Sequence, residues 1–146
     1  MRMIDFRAWD KKKSEILDVM DIDFSGKKVG VCNIPKRIFK DGRLHTIHSI
    51  ERDWSEVELM QSTDLKDKNG VGIYEGDIVK WSRLCLDFRL ENYEERSDNF
   101  VVEWDIYNTG FVLGDGEAFL YKDISAELEV IGNIYENPEL LKEEEE

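Results

Sequence analysis

At 146 residues the chain is long enough for one domain with a real core, since a domain near this length buries about 68–70% of its unfolded surface, and a 41% hydrophobic content including 7 Phe, 5 Tyr and 4 Trp excludes a disordered chain despite 36% charged residues. The net charge of -13 repels phosphate backbones, which disfavours direct nucleic-acid binding and leaves a protein partner, self-assembly or mimicry of nucleic acid. Cys32 and Cys85 are too few for a disulfide framework and lack zinc-site spacing, and neither the charged start Met1-Arg2-Met3-Ile4-Asp5 nor any later run makes a signal peptide or membrane span, so a reduced, cytoplasmic protein is expected.

The first element is a half-buried strand in which Ile4, Phe6 and Ala8 alternate with Asp5 and Arg7 before Trp9-Asp10. Lys11-Lys12-Lys13 marks a polar turn, and the apolar-rich segment from Glu15 to Phe24 is the partner strand of an N-terminal hairpin, with a helical pairing of Ile16, Val19 and Met20 as the competing reading. Between Ser25 and Ser55 the chain carries turn signals at Ser25-Gly26 and Asp41-Gly42 and a Pro35 that disfavours a central strand. Asp41-Gly42-Arg43, between Ile38-Phe39 and Leu44, predicts a tight turn joining two short strands.

Further on, Glu56 to Gln61 reads as a strand, Asp67-Lys68-Asn69-Gly70 as a hairpin turn, and the glycines of Gly72 to Gly76 as a bend before a strand with Ile78, Val79 and Trp81. Asp87 to Asn99 is charged and polar without an apolar repeat, which predicts a mobile loop or an insertion. Phe100 to Ile106 is a strand that turns through Tyr107-Asn108-Thr109-Gly110 into Phe111-Val112-Leu113, and Glu127 to Tyr135 alternates as a closing strand. Asn137-Pro138 fits the start of a short C-terminal helix, with the run Glu143 to Glu146 at its unfavourable end.

Four blocks of this sequence, taken together, are specific. They are Ile4 to Asp10, Met60 to Gly70, Ile73 to Val79, and Glu129 to Leu141, and in combination the chain resembles the YopX-like family of phage and prophage proteins. The resemblance brackets nearly the whole chain, departs at Asp64 where the related motif has glycine, and is loose over residues 25 to 55 and 83 to 99. It implies a mobile-element origin and a mainly β protein, and it transfers no catalytic residues, metal ligands or cofactor.

The residues capable of chemistry fall into three groups. His45 and His48 sit in His-Thr-Ile-His, where β-branched Thr46 and Ile47 favour an extended segment that sends the two rings to opposite faces, so metal ligation is disfavoured. Asp64, Asp67, Glu75 and Asp77 form an acidic patch near glycines that matches no EF-hand, and Asp67 capping a turn with Asp77 holding a bend is favoured over acid–base work. Trp9, Trp54, Trp81, Trp104, Tyr74, Phe100 and Phe111 are expected mostly in the core, with one or two lining a recognition surface.

The expected fold is therefore a single mainly β domain over residues 1–146, with a possible N-terminal part over 1–55 and a partly open, SH3-like small barrel over 56–137, closed by a short helix. No phosphate loop, nucleophile elbow or zinc-protease motif occurs. The leading expectation is a non-enzymatic accessory protein that binds a protein partner or assembles with itself, ahead of an acidic nucleic-acid mimic and a metal-dependent hydrolase using the Asp64 to Asp77 acids with His45 or His48.

Overall fold

The computed structural model of the protein describes residues 5–32, 38–45, 50–114, 116 and 118–142. Almost every described element is an antiparallel strand, and the chain divides into two compact units, Met3–Gln61 and Ser62–Glu146.

In the N-terminal unit, strands β1 (Phe6–Asp10), β2 (Glu15–Asp23), β3 (Lys28–Cys32), β6 (Ile50–Asp53) and the start of β7 (Val57–Lys66) pair in the order β6-β3-β2-β1-β7. The expected hairpin is present, with Asp10 opposite Glu15 and Arg7 opposite Asp18. The period-two pattern places Ala8, Leu17, Val29, Val31 and Val57 in one buried cluster. Asp10, at the end of β1, is fully buried. It survives there because Arg52 spans its carboxylate, Nε donating at 3.2 and 3.3 Å and Nη2 at 3.3 Å, while the Lys12 N–H donates to Oδ1 at 3.1 Å. The tight turn predicted at Asp41-Gly42 joins β4 (Ile38–Lys40) to β5 (Arg43–His45), and both turn residues have positive φ (55° and 70°), the geometry whose twist matches a two-residue hairpin.

In the C-terminal unit, β9 (Asp77–Asp87), β10 (Asn92–Asp105), β11 (Gly110–Leu113), β12 (Ala118–Phe119) and β13 (Leu128–Asn133) form a sheet ordered β12-β11-β10-β9-β13, and β8 (Gly72–Tyr74) pairs with the end of β7. Its end strands β12 and β13 do not pair with each other, so this sheet is open and not a closed barrel. The core is Ile73, Val79, Val102, Phe111, Leu113 and Leu128. A single α-helical turn, α1 (Lys122–Ser125), is the only α-helix among the described residues.

Two expectations are corrected. The segment Asp87 to Asn99 is no loop: β9 and β10 pair continuously from Asn92 opposite Asp87 to Val101 opposite Ile78, leaving only residues 88–91 as the turn. The side carrying Arg83, Cys85 and Glu94 is only partly buried and is largely polar, and that is why the charged sequence misleads. The C-terminal helix is a single 3-10 turn, Pro138–Leu141. Asn137 stands at its N-cap position with Pro138 next, as expected, and its carbonyl accepts the Leu140 N–H at 3.1 Å, but its side chain makes no cap bond and instead accepts from the Asn133 N–H at 3.3 Å.

Candidate functional site

Two of the four acids in the patch, Asp67 and Asp77, are taken up by backbone. Asp67 is buried, and its Oδ1 accepts the N–H groups of Asn69 at 2.8 Å and Val71 at 2.9 Å, while Oδ2 accepts that of Val130 at 2.9 Å. With Lys68 N–H donating to the Leu128 carbonyl at 2.9 Å, this turn is fastened to β13. Burial pushes the Asp67 carboxyl up, but those three N–H groups and nearby Lys68 outweigh it and hold the group below the ordinary carboxylate range. Asp77 is likewise buried and accepts the Tyr74 N–H at 2.8 Å across the Glu75-Gly76 bend. Asp64 is exposed and takes the left-handed conformation, φ 62°, where the related motif carries glycine. The capping and bend-holding roles expected of Asp67 and Asp77 are thus what these side chains do.

His45 ends β5, its side chain is not described, and His48 lies outside the described residues. Among the described residues no three His, Cys, Asp or Glu side chains converge as a metal-ligand set. Neither Cys32 nor Cys85 is in a disulfide.

The aromatics divide differently from the expectation that most are core. Only Phe111 belongs to the buried cluster; Trp81 and Phe100 are half-buried against it, and Trp54 and Trp104 are exposed. Short aliphatic side chains fill the interior positions of these strands, which leaves the rings at its margin. Trp81 stands beside Phe100 with the Arg83 guanidinium 4.5 Å from its ring, while its Nε1–H donates to Glu127 at 3.0 Å. Those contacts complete one another and leave little for a ligand.

The β10–β11 hairpin is different. Asp105 closes β10 and shapes the turn, Oδ1 accepting the Tyr107 N–H at 2.9 Å and Oδ2 the Asn108 side-chain amide at 2.7 Å. The Asn108 amide, and then the Tyr107 N–H, hold the Asp105 carboxyl below the usual range, so it is ionised at neutral pH. Thr109 then takes φ 50° to bring the chain back to Gly110, which lies opposite Asp105. On this frame Trp104 stacks edge-on against Phe111 at 5.1 Å, fixing its ring from below, while Ile106 and Tyr107 stand out at 69% and 91% exposure. Glu103, Trp104, Asp105, Ile106, Tyr107 and Val112 line a shallow cleft of about 240 Å³, with Gly116 at its rim.

This is a poor vessel for a small molecule. Ligand and cofactor sites are usually deeper, about 300–1,000 Å³, and enclose most of what they bind. An open cleft with an exposed tyrosine and isoleucine beside two carboxylates, and a tryptophan in the same hairpin, has the mixed apolar and charged composition common at protein surfaces that contact other proteins. Trp104 was among the aromatics the sequence singled out; Glu103, Asp105, Ile106 and Tyr107 were not, although two large apolar residues inside a turn are a readable signal.

The fold and this cleft define an antiparallel β protein of two units with an aromatic, acidic hairpin at β10–β11. The family model described as "YopX protein" matches residues 5–142, and the chain belongs to that family. Among solved structures it is similar to the crystal structure of protein EF1440 from Enterococcus faecalis, at 26% sequence identity and a TM-score of 0.66, covering 97% of this chain and 100% of that one. A search of curated proteins gives no match. No described helix is long and apolar enough to cross a membrane.

Proposed function

We propose that the protein is a non-enzymatic binding protein whose β10–β11 hairpin receives a segment of a partner protein carrying a basic side chain beside an apolar one. The observation behind this reading is the cleft itself: Ile106 and Tyr107 stand exposed beside Glu103 and Asp105, with Trp104 also in its lining. An arginine or lysine placed there meets carboxylates for its charge and ring faces for its stem, and an aliphatic or aromatic neighbour has the Ile106 and Tyr107 surface. A five-stranded open sheet presenting aromatics at a hairpin is also in keeping with an SH3-like small barrel, a class whose aromatic-lined grooves take extended peptides. A phage or prophage accessory role in the bacterial cytoplasm fits family membership and a partner drawn from the host cell.

Affinity capture from a bacterial host lysate tests it, with wild type and an Ile106→Glu/Tyr107→Glu variant as parallel baits. The reading expects one protein to be retained by wild type, lost by the variant and weakened but not abolished at high salt, because only the charged part of the contact is screened. A captured protein held equally by both baits would place binding elsewhere on the chain. Retention that vanishes entirely with modest salt would instead favour nucleic-acid mimicry.

A further inference from the structure

The ladder between β9 and β13 ends at Trp81, and that between β10 and β11 begins at Val102. Residues 82–87 and 92–97 therefore pair only with each other among the described strands, as a two-stranded ribbon extending past the sheet. Two strands alone are marginal in water, and they gain stability when a face is covered. Directly opposed residues share a face and successive residues alternate. Leu86 lies opposite Tyr93, Leu84 opposite Glu95 and Ser82 opposite Ser97, which puts Leu84, Leu86 and Tyr93 together on one side. Arg83, Asp87, Glu94 and Arg96 fall on the other. The apolar side is open: Leu84 is 71% exposed and Tyr93 69%, and the turn that follows adds Phe88 at 83% and Leu90 at 60%.

We infer that this ribbon is a self-association arm, its apolar face packing against the same face of a second copy about a two-fold axis. Charge selects that occupant. Within the ribbon the one charged side chain on the apolar face is Glu95, with Lys80 at its base and Arg89 and Glu91 in the turn. The few charges are thus of both signs and a strongly charged partner finds little to pair with there, whereas another copy brings a surface equally apolar and of balanced charge. Area supports it as well. The exposed parts of Leu84, Leu86, Phe88, Leu90 and Tyr93 amount to on the order of 500 Å². Two copies then bury on the order of 1,000 Å², the size at which specific interfaces begin. An isologous contact satisfies both faces at once and closes without growing into a filament. The resulting dimer is reversible, with dissociation in the micromolar range, and salt does not dissolve it, because screening reduces the repulsion between two chains of net charge -13.

Sedimentation velocity on the full chain, from low micromolar to several hundred micromolar, tests the inference. The expected result is an apparent mass rising from 17.2 kDa towards twice that value, at low and high salt alike. A Leu84→Glu/Tyr93→Glu variant with unchanged circular dichroism should remain at the monomer mass throughout, and Arg96→Ala, on the opposite face, should dimerise as wild type does. An Ile106→Glu/Tyr107→Glu variant should also dimerise normally, which separates this arm from the proposed recognition cleft. A wild-type monomer over the whole range overturns the inference and leaves the face to a partner of other chemistry. A dimer that survives Leu84→Glu/Tyr93→Glu, or one dissolved by salt, overturns it equally.

Discussion

Replacing Asp67 should cost more than any exposed carboxylate in the chain. Its two oxygens accept three backbone N–H groups, at 2.8, 2.9 and 2.9 Å, and one of them joins the 67–71 turn to β13 across 63 residues of sequence. Asp67→Ala leaves all three donors without their partner in a partly buried setting; at about 1 kcal/mol each, the low end of the penalty for a stranded donor, the loss is about 3 kcal/mol. That is a large share of the roughly 5–15 kcal/mol that stabilises a typical domain. Asp67→Asn keeps one acceptor oxygen but turns an amide donor towards one of the N–H groups, so about 2 kcal/mol should go. Urea unfolding followed by tryptophan fluorescence measures both, through Trp81 and Trp104 in the same unit. The pH dependence has a defined sign. Because the folded-state pKa of Asp67 lies below its ordinary value of 3.8, its contribution is complete above that value and is lost as pH falls through the lower folded pKa. Wild type should therefore lose stability below about pH 4 more steeply than Asp67→Asn does. An Asp67→Ala loss under about 1 kcal/mol, within the range of an ordinary surface change, with an acid limb parallel to that of wild type, would refute the reasoning.

Other substitutions read other parts of the structure. Arg52→Ala abandons the fully buried Asp10 carboxylate and should destabilise the N-terminal unit by about 3 kcal/mol, measured by the same unfolding titration. Asp64→Val forces a β-branched residue to φ 62° and should cost about 1–2 kcal/mol, whereas Asp64→Gly, the residue of the related motif, should be tolerated to within about 1 kcal/mol. At Gly132, beside the β13 bulge, a Cβ would stand 2.5 Å from Asn137 Oδ1, so Gly132→Ala should displace that side chain and lower the melting temperature by several degrees, seen by calorimetry.

Much of the fold was readable where local chemistry decides it. Asp41-Gly42 and Asn69-Gly70 announce hairpins because Asp41, Gly42 and Gly70 take positive φ, and the alternation around Ala8, Leu17 and Val102 assigns the inner faces. The outer half of the β9–β10 ribbon was hidden, since its partly buried side is filled by Arg83, Cys85, Asp87 and Glu94 and its aliphatic residues lie on the exposed side, the reverse of ordinary strand patterning. The bulge between Val130 and Gly132 also breaks the simple alternation of β13, so Gly132 does not share the face of Leu128 and Val130. Of the recognition hairpin, Trp104 was visible as a residue but its neighbours were not. Glu103 and Asp105 look like the ordinary solvent face of a strand, and only the closing of β10 onto β11 brings them round Ile106 and Tyr107.

The central claim is recognition at the β10–β11 cleft, and a peptide-display selection on immobilised wild-type protein, with titration calorimetry on the enriched sequences, addresses it whatever the partner is. The account predicts peptides in which arginine or lysine adjoins an aromatic or aliphatic residue, with affinity falling at least about tenfold, or 1.4 kcal/mol, for Tyr107→Ala and weakening for Asp105→Asn. Enriched peptides without a basic residue, or with affinity unchanged by Tyr107→Ala, would contradict it.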